Sequence, residues 1–414
     1  MDSIIFIFYL FLFIWLINRI KFFKVARLTP FWLTSFFILK VIAGIAYGIF
    51  HSKIPDYQTS ADTWVFHYNS ITQKKLLIQY PLQFMAEIFS NPYDKKLHHF
   101  FSSSDSLWND LRHMYMVKLV AVMNVFSGSR YYVNVIFYNF ITFFGPIAFI
   151  AIMKDIFKGK LAIIAGATFI IPSFLFWTSG IHKDGIIFLV ISLIAYLFYF
   201  KILRKNFNLK NILALIILLL CILPLRNYVV LALLPALISW WWAAHINRFK
   251  WMPFIVISIA GSIVFFSTKY INPKIDLPIS VVMRNKEFIK LGGTSMLPQP
   301  PLTSDLKSFV FNAPNALNHT LARPYLSEVR SVSYFFSAIE IISLWLLLVI
   351  WFFRYNGNPF KHEAVLFFFM ISLILLLLTG YIVPQLGALV RYRSVYLPFL
   401  TIPILCTIRW RKTY

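Results

Sequence analysis

Residues 178–185 read Thr178-Ser179-Gly180-Ile181-His182-Lys183-Asp184-Gly185 and place three ionisable side chains between apolar runs at 161–177 and 186–203. Long apolar runs on either side of a charged turn are the pattern of helices that cross a bilayer. Working outward, similar runs recur at 4–17, 31–50, 131–153, 211–225, 228–244, 251–268, 331–353, 364–381 and 394–408. A crossing helix needs about 20 mostly apolar residues, so the expected fold is all-α, a polytopic membrane helix bundle of about eleven transmembrane helices. The shorter runs imply extended, tilted or re-entrant segments. Composition agrees, because 59% of the 414 residues are hydrophobic and only 13% are charged, well outside the usage of soluble domains.

The formal net charge of +24 would suit a nucleic-acid binder, but the distribution of Lys and Arg argues against that partner. Cations cluster between alternate apolar runs: Arg19 to Arg27, Lys154 to Lys160, Lys201 to Lys210, Arg248 and Lys250, Arg354 and Lys361, and Arg409 to Lys412. Positive loops stay on the cytoplasmic side. One alternating topology satisfies all six clusters, with the N-terminus outside and the C-terminus cytoplasmic. It requires the stretch 113–127 not to cross, and that stretch reads as an amphipathic juxtamembrane helix on the outer surface. Met1-Asp2-Ser3 lacks a positive n-region, so the first run reads as a retained anchor. Cys221 and Cys406 both fall in apolar runs, which supports neither a disulfide framework nor a thiolate metal site.

Residues 1–414 read as a single membrane domain with two outer insertions, 51–130 and 269–330. The second carries seven prolines and Gly292-Gly293, the composition of an irregular loop. Only fifteen carboxylates exist in the chain, so the candidates for acid–base chemistry are few. Asp62 heads them. It lies about a dozen residues beyond the second run, flanked by Trp64, Phe66 and Tyr68, where partial desolvation would raise its pKa and make it a better base. The same spacing also fits Asp62 as a helix N-cap before Thr63.

Asp184 carries a similar ambiguity, since a carboxylate ahead of a new apolar run is favoured at a helix N-terminus. His182 and Lys183 beside it are not needed by a turn, and adjacent residues on a helix point apart toward different partners. Arg391 and Arg393 share one face if their segment is extended, and guanidinium groups grip phosphate in a forked geometry. Arg226 is a further outer-edge cation, for which snorkelling to lipid headgroups is the alternative. Glu340, inside an apolar run, calls for a partner such as an Arg. His98, His99 and His113 lack any metal-ligand spacing and read as surface histidines; a divalent metal is unsupported, no cofactor is indicated, and no nucleotide-binding loop is present.

Taken together, these pieces resemble the GT-C superfamily of membrane glycosyltransferases, over residues 31–408. Asp62 in Ala61-Asp62-Thr63-Trp64-Val65-Phe66-His67 looks like the acid of that superfamily's first large outer loop, and 113–127 looks like its juxtamembrane helix. Pro172 to Gly180 followed by Lys183-Asp184, and Arg391-Tyr392-Arg393 before Pro398, are similar to segments of bacterial members. The resemblance implies a multi-pass protein of the bacterial inner membrane that uses a polyprenyl-phosphate sugar donor and a glycan, lipid or protein acceptor. It further implies Asp62 as general base with inversion, and Arg391, Arg393, Lys183, Asp184, His182, Arg226 and His67 around the lipid phosphate or sugar. One departure is that an extra span precedes the acidic loop and no second acid flanks Asp62, which counts against a metal-dependent mechanism. Two rival readings stand beside it. A polysaccharide polymerase or ligase would depend on the arginines more than on Asp62. A flippase or export-complex subunit would need polar groups spread through the membrane depth, whereas those of this chain gather at one face.

Overall fold

Thr29 and Pro30 open the first long helix, Pro30–His51: the Thr29 hydroxyl accepts from the Trp32 amide, and proline occupies the first turn, where its missing N–H costs nothing. The same logic recurs at Asp276 and Asp305, whose carboxylates accept from the Ile279 and Ser308 amides to start Leu277–Leu291 and Leu306–Leu321. The computed structural model describes residues 2–88, 107–205, 208–272, 275–293 and 295–410. His98, His99, Arg411 and Lys412 lie outside the described residues, as does Pro273 of the second insertion. Among the described residues the structure is helical without strands, apart from isolated bridges pairing Met296 with Gln385 and Tyr355 with Ile408.

The chain is an all-α polytopic membrane protein. Seven described helices are long and apolar enough to cross a membrane: Pro30–Ser52, Tyr131–Ile156, Lys183–Ile202, Asn227–Ala244, Met252–Ile271, Val332–Arg354 and Glu363–Ile382. The number becomes nine if Leu161–Ile170 with Pro172–Ser179, and Leu386–Ser394 with Leu397–Cys406, each form one bent span. Pro172 explains the first break, since proline forces the preceding Ile171 into an extended conformation. The runs at 4–17 and 211–225 yield the shorter helices Ser3–Arg19 and Leu209–Ile222.

The described residues group into two compact units, one comprising 2–88, 107–155 and 174–226 and the other 156–173 and 227–410. In the first unit, Tyr131–Ile156 and Lys183–Ile202 are the most enclosed helices, and Asp62–Gln79 and Leu107–Ser127 pack together. Leu107–Ser127 is not apolar enough to be counted as a span. It is fastened by a polar ladder in which Asn134 donates to Asn124 (2.6 Å) and Asn124 to Ser70 (2.7 Å), all three fully buried. Buried Lys118 donates to Gln73 (3.0 Å), Glu87 (3.2 Å) and the Phe84 carbonyl.

In the second unit, Glu363–Ile382 forms the core, while Met252–Ile271 and Val332–Arg354 leave most of their apolar surface uncovered, as suits helices that face lipid. The segment expected as an irregular loop instead contains Leu277–Leu291 and Leu306–Leu321. Its prolines sit at a helix start (Pro278), inside a helix (Pro314) and in the connections, so their abundance does not prevent helix formation. Val281, Val282, Phe309, Ala316 and Tyr381 form the core there. Gly380 permits the close approach: a Cβ at this position would lie 2.1 Å from the Ala316 carbonyl oxygen. Gly380→Ala should therefore cost about 1–3 kcal/mol, read as a lower melting temperature and faster amide exchange in 306–321.

Candidate functional site

The charged turn quoted first is held from several directions within the first unit. Lys40, nearly inaccessible in its helix, donates to the Thr178 carbonyl (3.3 Å) and the Ser179 hydroxyl (3.1 Å), at the C-terminal end of Pro172–Ser179. Asn139 donates to the Ser179 carbonyl (2.9 Å), and the Tyr138 hydroxyl donates to the His182 carbonyl. A side chain at Gly44 would collide with the Ser179 carbonyl, 2.5 Å from the position of its Cβ. These contacts fix His182 in an extended conformation (φ −153°, ψ 161°) as the residue preceding Lys183–Leu197.

Asp62 is positioned just as firmly. It is the first residue of Asp62–Gln79, after an extended Ala61. Thr63 bonds the Tyr131 hydroxyl (2.7 Å), Trp64 donates to the Gly48 carbonyl (3.1 Å), and the Trp64 ring stacks on Tyr131 at 3.9 Å. The carboxylate is half-exposed and reaches His182, with Oδ2 3.0 Å from Nε2. The other ring nitrogen of His182, Nδ1, lies 2.8 Å from Asp184 Oδ2, and Arg226 Nη2 lies 2.5 Å from Asp184 Oδ1. His182 and Asp184 have no solvent exposure and Arg226 almost none. The result is an unbroken series, Asp62–His182–Asp184–Arg226, that opens to solvent at Asp62.

Several expectations change accordingly. Asp62 is not an N-cap, because the capping position belongs to Ala61, and its carboxylate is half-exposed. Asp184 lies in the first turn of its helix, but its oxygens are engaged by His182 and Arg226. His182 and Asp184 do not diverge around a cavity: His182 precedes the helix in extended conformation, so its ring folds back onto the carboxylate two residues on. Arg226 is buried in an ion pair and does not snorkel. Among the described residues no group of three or more His, Cys, Asp or Glu side chains is arranged to hold a metal ion.

Lys183 lies over the Phe66 ring at 5.3 Å, and the rings of His182 and His113 stand 6.1 and 5.5 Å from the same ring. His113, read from sequence as a surface residue, thus borders the site; its Nε2 is 3.0 Å from Asn69 Nδ2. Burial, with the nearby Lys183 charge as a lesser cause, holds its imidazole below the ordinary 6.5, against the opposing pull of Asp62 and Asp110.

His67 is packed edge-on to Trp64 and Tyr131 and is not part of the series. Burial lowers it from 6.5 to about 4, and burial does the same to His319 of the second unit, with Arg323 a lesser cause. Between pH 6.5 and about 4 the unfolded chain takes up protons at these rings that the folded protein refuses, so stability falls as pH drops through that window. Melting temperature measured across this range should decline less in His67→Phe than in the native chain.

Arg391 and Arg393 belong to the second unit. They lie on the helix Leu386–Ser394, where two residues of separation turn the side chains about 200° apart, so they do not share the face expected of an extended segment. Arg393 is fully buried and donates to the Thr320 carbonyl (3.5 Å) and the Arg323 carbonyl. Arg391 lies beside the Tyr392 ring at 5.6 Å. Glu340 accepts from the Ser173 amide (2.8 Å) and hydroxyl (2.7 Å), with Arg393 within electrostatic reach. The polar partner expected for this membrane acid is therefore chiefly a serine.

Fold and site together define an α-helical integral membrane protein with a carboxylate–imidazole–carboxylate–guanidinium series. Comparison with protein-family models, with curated proteins and with solved structures found no match to the chain.

Proposed function

We propose that the chain is a membrane glycosyltransferase of GT-C type that moves a sugar from a polyprenyl-phosphate donor to an acceptor hydroxyl, with Asp62 as general base. The observation that carries this reading is the half-exposed Asp62 carboxylate, anchored at 3.0 Å to a fully buried histidine that is itself backed by an acid and an arginine. Such backing orients a proton-accepting group in the manner of catalytic dyads and triads. The acceptor O–H proton passes to Asp62 as the acceptor oxygen bonds the anomeric carbon. The bond from that carbon to phosphate oxygen breaks, and its electron pair leaves with the lipid phosphate. Attack opposite the leaving group inverts the anomeric centre. Lys183, beside Phe66, supplies a cation for the phosphate, whereas Arg226 serves Asp184.

The test is reconstitution of the full chain in proteoliposomes with polyprenyl-phosphate sugars and a panel of hydroxyl acceptors. Transfer with inverted stereochemistry is expected. Retention of configuration, or donors left intact across the panel, would overturn the proposal.

A further inference from the structure

A fully buried imidazole contacting a carboxylate through each of its nitrogens sets a strict proton count. Ionised carboxylates only accept hydrogen bonds. The contact from Nδ1 to Asp184 at 2.8 Å and that from Nε2 to Asp62 at 3.0 Å must therefore each contain a proton. A neutral imidazole flanked by two ionised carboxylates supplies one. From the geometry we infer that Asp62, His182 and Asp184 together hold two protons, and that His182 is a positioning residue sharing one of them with Asp62.

The surroundings support the second proton. Asp184 is enclosed with no exposure, and the Arg226 guanidinium, 2.5 Å from its Oδ1, holds it in place. The groups facing His182 are Asp62 from Asp62–Gln79, Asp184 and Lys183 from its own helix, Arg226, and Tyr138, which bonds the His182 carbonyl, with His113 across the Phe66 ring. The shared proton holds the Asp62 carboxylate at one rotamer. In a turnover the proton from the acceptor becomes the third in the trio, and one must leave to solvent through Asp62, the half-exposed member, before the next cycle. This inference rests on the reading of Asp62 as the accepting base, but its first test does not depend on sugar transfer.

That test is proton and nitrogen NMR of the full chain, labelled at histidine and held in lipid nanodiscs, with the His182 ring identified by its loss in His182→Gln. Two strongly downfield, slowly exchanging protons are expected on this ring, one coupled to each nitrogen. Asp62→Ala, a change at a half-exposed position, should remove the proton signal at Nε2 and leave that at Nδ1. A single such proton in the native chain, or two that survive Asp62→Ala, would overturn the inference. Activity supplies a second arm: Asp184→Asn should move the pH profile of transfer and lower the rate at least about 10²-fold with little change in KM. An unmoved profile would reduce Asp184 to a structural role and also overturn the inference. If the two protons are present and Asp62→Ala still transfers sugar at the native rate, the reading of Asp62 as general base fails while the proton count stands.

Discussion

Asp62→Asn is expected to lower sugar transfer on the order of 10²–10⁴-fold, the range attributed to a positioned general base, while leaving the protein folded and inserted. The two halves of this expectation rest on different observations. Loss of rate follows because an amide cannot take the acceptor proton. Retention of fold follows because the side chain is half-exposed, its helix is held by Thr63 and Trp64 through Tyr131 and Gly48, and the Asn amide oxygen still offers an acceptor to His182 Nε2. The measurement is initial rate of transfer in proteoliposomes at saturating donor, with circular dichroism and melting temperature as controls. A folded, inserted Asp62→Asn protein that works at the native rate would sink the mechanism. Arg391→Ala run in parallel separates the polymerase or ligase reading, in which loss at the arginine exceeds loss at Asp62. Arg393 cannot serve that comparison, since its guanidinium is buried on backbone carbonyls and its removal would disturb the fold.

Membrane helices were legible because hydropathy acts along the chain, and each run of apolar residues must bury its own backbone hydrogen bonds. The members of the site series could also be named, since Asp62, His182, Asp184 and Arg226 are rare ionisable groups at the edges of apolar runs. Their pairing could not. Asp62 and His182 are 120 residues apart, and only the packing around Tyr131, Tyr138 and Lys40 decides that they meet. Asp184 illustrates the local limit: the spacing that makes a carboxylate a good helix cap is the same spacing that lets it catch an extended histidine two residues earlier. Arg391 and Arg393 failed on conformation, because a two-residue period means one face in a strand and opposite faces in a helix. His113 carried a usable signal. It lies on one helical face with Val117, Val120 and Asn124, all buried, which marks a packed face and not a surface histidine.

Arg226→Leu is expected to destabilise the first unit by about 3–5 kcal/mol, because breaking a buried ion pair by removing one partner costs that much. Asp184 would then keep its contact with His182 but lose the guanidinium 2.5 Å from Oδ1, in a pocket where neither it nor His182 has any exposure. Arg226→Lys should recover part of the loss, since an ammonium restores the charge without the planar fork of the guanidinium. The double variant Arg226→Leu/Asp184→Leu separates electrostatics from packing: if the penalty is that of an orphaned charge, the pair should melt well above Arg226→Leu alone, since apolar replacement of a whole buried pair is often neutral or better. Thermal denaturation in nanodiscs reads all three. Equal melting of the single and double variants would mean that Arg226 acts through its aliphatic stem and the fit of the Leu225-Arg226-Asn227 turn, and that Asp184 does not need it as a counter-ion. Activity should separate from stability in this series, with the double variant folding yet transferring little, because it restores the packing behind His182 without the carboxylate that aims the ring at Asp62.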